Sequence, residues 1–223
     1  MFKNLLGFWK GKDFLSKVFG EFSEMLDGAE QMFRLVRGSL LDHSGLPDKQ
    51  EIYDIDQRIN VLQKDIRKRI VEHLTLQPTV DVAACLVLMS VVKDAERLGD
   101  YCKNLYEVTE LLEKPIERTV FSQYFNGLDE DVLELFGKTK LAFVDADEDT
   151  ARSAWDYEKR IAKLCDNIVK ELSQSELSVN EAVCLALVAR HVKRIVAHLV
   201  NIATSFILPL SDLDYYDERM LEE

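Results

Sequence analysis

Two carboxylates near the middle of the chain, Glu96 and Asp100, have the residue types and the spacing best suited to chemistry. Four residues apart in a helix, they lie on one face, and their like charges repel each other. A bound cation or a basic partner would stabilise them there, and carboxylate oxygens suit hard or borderline metal ions. The pair therefore indicates a candidate metal or partner site on a helix surface.

The same residues also fit an ordinary solvated helix face. Charges of both signs recur at spacings of three and four, at Lys93, Glu96, Asp100, Lys103 and Glu107. Relative to the apolar stripe of this helix, the charged stripe is expected to point away from the core. From the residues alone, the solvated face is the favoured interpretation.

The overall charge narrows the choice of partner. The chain has 223 residues, of which 30% are charged, and its formal net charge is −12. A surface this acidic repels phosphate backbones and argues against nucleic acid as a partner. No basic cluster or glycine-rich loop that would hold free phosphate is visible in the sequence. Cations and basic partners suit such a surface.

No catalytic constellation is visible either. The sequence has no GxSxG, no Walker loop and no dinucleotide-binding fingerprint. A di-iron carboxylate enzyme typically needs two ExxH motifs on inward-facing helices, and the sequence has none. We therefore expect that the chain is not an enzyme. The cysteines form no CxxC pair and are predicted to be buried free thiols: Cys85, Cys102, Cys165 and Cys184.

Apolar residues at spacings of three and four predict long amphipathic helices that pack nearly antiparallel. The segment from Pro115 to Val144 has a weaker pattern, and Asn126-Gly127 is expected to kink or split it. The longest nearly apolar run, Ala83 to Val92, is half the length of about 20 residues that a bilayer span needs. The sequence predicts an all-α, cytoplasmic protein of six long helices, with breaks near residues 44–48, 77–78, 114–115, 145–149 and 173–178.

Two of the predicted helices recur later in the chain. Adding 102 to the residue numbers of the second helix aligns its stripe, from Ile55 to Ile70, with that of the fifth. Adding 97 aligns the third helix with the sixth, and brings Arg97 onto Arg194. We therefore predict two three-helix units. Their bounds are residues 21–114 and 115–209, preceded by an amphipathic segment, 1–20, and followed by an acidic tail, 210–223.

The third helix also carries a recognisable signature. Ala95-Glu96-Arg97-Leu98-Gly99-Asp100 resembles the LERIGD motif of PhoU proteins, the phosphate-uptake regulators, and Asp54 to Asn60 resembles the acidic first motif of that family. The opening, Met1 to Leu6, resembles the divergent branch found beside low-affinity phosphate permeases. The resemblance implies two tandem three-helix bundles and a role that restrains phosphate import or signalling.

The resemblance also implies a ligand set. In some PhoU proteins, acidic motifs hold iron or zinc clusters on the bundle surface. If the helices pack in the family manner, Asp56 and Asn60 add oxygen ligands to Glu96 and Asp100. The resulting prediction is an iron or zinc site formed by Asp56, Asn60, Glu96 and Asp100.

The second repeat departs from this pattern. Val192 to His198 resembles the same signature, but Lys193 and Ala197 stand where the two acids would be. A metal cluster is therefore not expected in this half. We predict instead that Lys193 pairs with Glu158 and substitutes for the missing cation.

The first 20 residues form a local positive and aromatic patch in an acidic chain. Phe2, Leu5, Leu6 and Trp9 fall on one helical face, continued by Phe14, Leu15, Val18 and Phe19, and four lysines accompany a single acid, Asp13. Such a segment is typical of an interfacial helix that touches a membrane or a transporter. It fits equally well a helix end that packs against the bundle with its lysines in water.

The leading functional hypothesis is a regulatory binding protein. By resemblance, its partner is a phosphate permease, another transporter subunit or a sensor kinase, at the inner face of the membrane. A homodimer is compatible with such a family. The alternative is a structural or adaptor bundle without a metal or phosphate role, which the apolar stripes fit equally well.

Overall fold

The computed structural model describes residues 13–42, 48–145 and 147–213, and these contain seven α-helices and no strand. The first three are α1 (Asp13–Asp42), α2 (Lys49–Leu76) and α3 (Val82–Leu111). They are followed by α4 (Arg118–Phe125), α5 (Leu128–Asp145), α6 (Glu148–Leu172) and α7 (Val179–Thr204). A short 3-10 turn, Leu210–Asp212, comes last. The predicted all-α fold of long helices is confirmed.

The fourth predicted helix is split into α4 and α5 at Asn126 and Gly127. Both residues have positive φ angles, +30° and +80° respectively, which no α-helix interior accommodates. The polypeptide turns there, and the acidic first turn of α5 then complements the positive end of the helix dipole. Pro115 precedes this element rather than starting it, since α4 begins at Arg118.

The first helix begins earlier than the predicted boundary at residue 21. Leu15 and Val18 are fully buried, and Phe19 packs edge-on against Phe143. Phe14 stacks on His73 with the ring centroids 4.1 Å apart. Leu15 and Val18 therefore belong to the bundle core, and Phe14 and Phe19 pack against it, which agrees with the second of the two interpretations, a helix end packed against the bundle. Residues 1–12 lie outside the described residues.

Helices α3 and α7 form the centre of the molecule. α1 and α2 pack on α3, α5 and α6 pack on α7, and α3 and α7 pack on each other. α3 buries 15 of its residues, whereas α2, which has nearly the same length, buries six. The reason is that α3 and α7 contact helices on several sides, while α2 and α6 cover the flanks. A single continuous core results.

Equivalent contacts recur in the two halves. Across the α3–α7 seam, the Asp94 carboxylate hydrogen-bonds to the His198 ring. The rings of Tyr101 and His191 also face each other across this seam. Adding 97 to the number of Asp94 gives His191, and adding 97 to that of Tyr101 gives His198. Asp94 therefore contacts the counterpart of Tyr101, and Tyr101 contacts the counterpart of Asp94. This exchange relates α3 and α7 by an approximate two-fold axis perpendicular to their common plane.

The two halves also meet where α1 and α5 contact each other through aromatic rings. Phe22 stacks on Phe143 at 4.3 Å between centroids, and Phe143 meets Phe206 edge-on at 4.8 Å. Lys140 on α5 binds the carboxylate of Glu30 on α1. The four cysteines are buried and unpaired, as predicted.

The two glycines of α5 and its preceding turn should respond oppositely to alanine. Gly127→Ala forces a side chain onto a residue with φ +80° and should cost about 1 kcal/mol or more. Gly137→Ala, at an exposed position inside α5 with open space around it, should stabilise by about 0.5–1 kcal/mol. Urea unfolding measures both changes, and a gain in stability for Gly127→Ala would contradict the turn geometry.

Candidate functional site

The predicted site residues come together where α2 crosses α3 closely. Gly99 leaves room for this crossing, because a Cβ added there would lie 3.1 Å from Ile59 Cδ1, close enough to push that side chain aside by a few tenths of an ångström. The close approach brings the carboxylate of Asp56 beside the acids of α3. Asp56 is only 8% exposed. The charged stripe of α3 therefore faces α2 at this point, and is not the fully solvated face that the residues alone favour.

A lysine lies at the centre of this acid cluster. The Nζ of Lys103 donates to Asp56 Oδ2 at 3.0 Å and to Asp100 Oδ1 at 3.4 Å. Asn60 donates its Nδ2 to the same Asp56 oxygen at 3.3 Å. The ammonium thus joins α2 to α3 and neutralises two of the carboxylates. The sequence interpretation included Lys103 only in the mixed charge stripe, although its spacing of three from Asp100 is an ion-pair signal.

A second cation covers the other side of the cluster. Arg97 Nη1 donates to Asp100 Oδ2 at 3.1 Å, and its Nε lies 3.8 Å from Glu96 Oε2. Asp100 is therefore held between Lys103 and Arg97. Glu96 has the weaker partner, because its contact with Arg97 is longer than a hydrogen bond.

Charge and burial oppose each other in this cluster. Burial, and then the charge of Asp100, raise the pKa of Glu96 above its ordinary value. Burial alone would lower the pKa of Lys103, but the hydrogen bond from its ammonium to Asp56 and the charges of Asp56 and Asp100 outweigh it and raise the pKa. Lys103 is thus firmly protonated, whereas Glu96 is the acid least stabilised in its ionised form.

This geometry bears on the predicted iron or zinc site. Asp56 and Asp100, its two best oxygen donors, accept hydrogen bonds from Lys103, and Asn60 presents its amide N–H rather than its oxygen to Asp56. Among the described residues, no group of three or more His, Cys, Asp or Glu side chains is arranged to hold a metal ion. Metal binding here requires that the ion displace the ammonium of Lys103.

The second half also places a lysine on an acid, but not on the one predicted. Lys193 Nζ donates to both carboxylate oxygens of Asp166, at 2.8 and 2.7 Å. Glu158, the predicted partner, precedes Asp166 by two helical turns, about 12 Å along α6. One ammonium does not bridge that distance. The alignment of the repeats therefore predicted the correct helix for the partner of Lys193, but an acid two turns away from the one that Lys193 contacts.

A polar cluster crosses the α3–α7 seam. His198 Nδ1 lies 2.7 Å from Asp94 Oδ1, and the Nδ2 of Asn201 lies 3.4 Å from the same oxygen. Tyr101 stacks on His198 at 5.6 Å between centroids. Burial lowers the pKa of the neighbouring His191. His191 and His198 are both half-buried, and neither belongs to a metal ligand set among the described residues.

The outer side of the same two helices has a distinct pattern. At each end lie exposed apolar residues, Val82 and Leu86 on α3 and their counterparts Val179 and Val183 on α7, which are 37–81% exposed. Between the two ends are exposed cations: Lys93, Arg97, Arg190 and Arg194. The two-fold relation of the helices places both sets on one side. We call these eight residues the α3–α7 face.

Three of these cations are not neutralised by the part of the chain that the structure describes. Lys93, Arg190 and Arg194 have no ion pair with a described acid, whereas Arg97 binds Asp100. The α3–α7 face is thus a basic surface on a chain of net charge −12. The sequence alone did not reveal this basic surface, because two of the cations lie on α3 and two on α7, which are far apart along the chain. None of the described helices is both long and apolar enough to cross a membrane.

Replacing Glu96 by glutamine should stabilise the folded protein at neutral pH. The pKa of Glu96 is raised on folding from 4.5, so the ionised carboxylate costs the folded state stability wherever both states are ionised. The cost disappears below about pH 4, where both states are protonated. Urea unfolding of Glu96→Gln should therefore show a gain over the natural protein at pH 7 that vanishes near pH 4.

The matched control is Asp65→Asn, which removes one carboxylate charge from an exposed position in the middle of α2, away from the helix ends. It should lack the gain at pH 7. A Glu96→Gln protein less stable than the natural one at pH 7 would show that Arg97 outweighs burial and Asp100.

Comparison with known proteins agrees with this architecture. The PhoU domain model matches residues 22–109 and 126–206. The phosphate-specific transport system accessory protein PhoU homolog of Aquifex aeolicus is 27% identical over 80% of this chain and 86% of its own length. The corresponding homolog of Synechocystis is 24% identical over 78% of this chain and 79% of its own length.

Two solved structures share the fold. PhoU from Pseudomonas aeruginosa superposes with a TM-score of 0.76 at 23% identity, covering 87% of this chain and 95% of that one. The phosphate transport system regulatory protein PhoU from Streptococcus pneumoniae superposes with a TM-score of 0.71 at 19% identity, covering 96% of this chain and 97% of that one. With the family model matching most of the sequence in two consecutive segments, the chain belongs to the PhoU family.

Proposed function

We propose that this protein is a cytoplasmic, non-enzymatic regulator of phosphate transport that acts by binding a component of a phosphate transporter. Membership of the PhoU family supports the link to phosphate transport, because the relatives are named as accessory and regulatory proteins of that system. The component is a phosphate permease or another transporter subunit. A sensor kinase is the other partner class that the family resemblance suggests.

The observation that carries the binding mode is the α3–α7 face. It combines exposed apolar residues at both ends with three cations that no described acid neutralises. Interfaces of regulatory complexes commonly place apolar contacts beside complementary charges, and the charges govern the rate and the specificity of association. A partner surface with acidic residues between apolar ones fits this face.

The competing function is an adaptor bundle without a phosphate role. Deletion of the gene in the source organism distinguishes the two, with phosphate uptake and cellular polyphosphate measured at high and low external phosphate. A change in either quantity supports the regulator. Unchanged uptake and polyphosphate under both conditions would favour the adaptor.

Charge reversal on the α3–α7 face should abolish regulation without unfolding the protein. We expect the triple variant Lys93→Glu, Arg190→Glu and Arg194→Glu to reproduce the deletion phenotype, because the three side chains are exposed and contribute the face's free positive charge. The control changes net charge equally at exposed positions of α2 and α6: Lys64→Glu, Lys163→Glu and Lys170→Glu. If the first variant has a normal circular dichroism spectrum and still regulates fully, the binding surface lies elsewhere.

A second contact is proposed for the start of the chain. Residues 1–12 combine Phe2, Leu5, Leu6 and Trp9 with three lysines, a composition that suits the surface of an anionic membrane. This segment would hold the regulator at the inner face of the membrane, near a transporter. The apolar residues of positions 14–19 do not contribute, since they belong to the core.

Removing residues 1–12 should therefore reduce binding to vesicles. We expect the full chain to co-sediment with vesicles rich in anionic lipid, and the shortened chain to remain in the supernatant. Vesicles of neutral lipid provide the control for the lysines. Equal binding of both chains, or none by the full chain, would exclude the membrane contact.

A further inference from the structure

We propose that Lys103 is the resident cation of the acid cluster and that its ammonium closes this site to divalent metal ions. The cluster consists of Asp56, Glu96, Asp100 and Lys103. The predicted metal ligands thus serve a structural purpose, which is to join α2 to α3 through a side chain of the protein itself. This inference does not rest on the proposed role in phosphate transport.

The position of the ammonium supports this assignment. Lys103 Nζ lies between an oxygen of Asp56 on α2 and an oxygen of Asp100 on α3, at 3.0 and 3.4 Å. A metal ion shared by these two carboxylates would occupy the same space. The side chain of Lys103 is only 22% exposed, and that of Asp56 12%, so the pair is largely shielded from water. Shielding strengthens the attraction of the ammonium for both acids.

Further donors contact the same carboxylates. Asp100 receives Arg97 at its other oxygen, and the Asn60 amide donates to the Asp56 oxygen that Lys103 also contacts. Lys103 and Arg97 contact the cluster, and the charge of Arg67 also acts on Glu96, so much of the negative charge is compensated without a metal ion. Only Glu96 lacks a short contact to a cation. One weakly paired carboxylate is a poor ligand set for zinc or iron, which prefer several ligands including nitrogen or sulfur.

Competition further favours the lysine. The ammonium is tethered to the site by its own helix, so its effective concentration there is on the order of millimolar or higher. A free divalent ion at micromolar concentration has to break both carboxylate contacts before it binds. It would then leave a positively charged lysine beside it. A metal ion therefore competes poorly for these two carboxylates as long as Lys103 is present.

The second half of the chain has a similar solution. Lys193, at the position equivalent to Glu96, donates to both oxygens of Asp166 on α6. Each half thus joins its two packed helices through a lysine and an acid. The halves differ in one respect: the ammonium of Lys103 contacts two carboxylates, those of Asp56 and Asp100, whereas Lys193 contacts a single acid. Removal of the lysine should therefore create a metal site only in the first half.

The test replaces Lys103 by methionine, which has a similar length and no charge. The full-length natural protein, Lys103→Met and the matched control Lys193→Met are treated with a chelator, dialysed and titrated with Zn²⁺ by calorimetry. We expect one zinc ion to bind Lys103→Met at least roughly tenfold more tightly than the other two proteins. Saturating zinc should also raise the melting temperature of Lys103→Met by about 5 °C and leave the other two unchanged.

Two further variants keep the test decisive. Lys103→Arg retains the positive charge and should bind no zinc, and Lys103→Met combined with Asp100→Asn should lose the zinc site that Lys103→Met gains. Stoichiometric zinc binding by the natural protein, abolished by Asp56→Asn, would overturn the proposal. Failure of a folded Lys103→Met protein to bind zinc would overturn it too. If Lys103→Met unfolds without metal, its recovery of helical circular dichroism on adding Zn²⁺ is the supporting result, and no recovery is the contrary one.

Discussion

The constraint on which the rest of the structure depends is that α3 and α7 must bury two sides each. One side packs on helices of the same half, and the other packs on the central helix of the opposite half. Ala95 and Gly99 are small buried residues of α3, and at Gly99 the neighbouring helix α2 comes close. The apolar stripe of α3 is consequently wider than that of α2. The helices that cover the flanks need only one apolar stripe and can expose most of their charges.

The acid cluster is a consequence of this packing. Because Gly99 has no side chain, α2 lies close enough for Asp56 to reach the charged side of α3. A carboxylate buried to this extent requires a counter-charge, since an unpaired buried ion costs several kcal/mol. Lys103 supplies it from the neighbouring helix at a contact distance of 3.0 Å. Gly99 and Lys103 thus act together: the close approach of the helices buries the Asp56 carboxylate, and the ammonium of Lys103 neutralises it.

Spacing along the chain predicted the helices well, and partners across helices less well. The stripes and the breaks gave the fold class, and Asn126-Gly127 gave the split of the fourth helix, because these are local properties of the backbone. The family resemblance also brought Asp56 near Asp100. The cation between them depends on how far α2 lies from α3, which spacing does not encode. The same limit explains Lys193, for which an alignment between repeats identified the helix but not the turn that holds its acid.

One residue of the α3–α7 face, Arg97, also contacts the acid cluster. Its guanidinium binds Asp100 in the cluster, while its position in the helix places it among the exposed cations of the face. Part of the positive charge of Arg97 is therefore neutralised by Asp100 and is not available to a partner. Any change that neutralises Asp100 would free Arg97 and make the face more basic. In the second half the equivalent position to Asp100 is Ala197, so Arg194 has no such restraint. The two halves of an otherwise symmetric face consequently differ in charge, and an acidic partner would bind it in one preferred orientation.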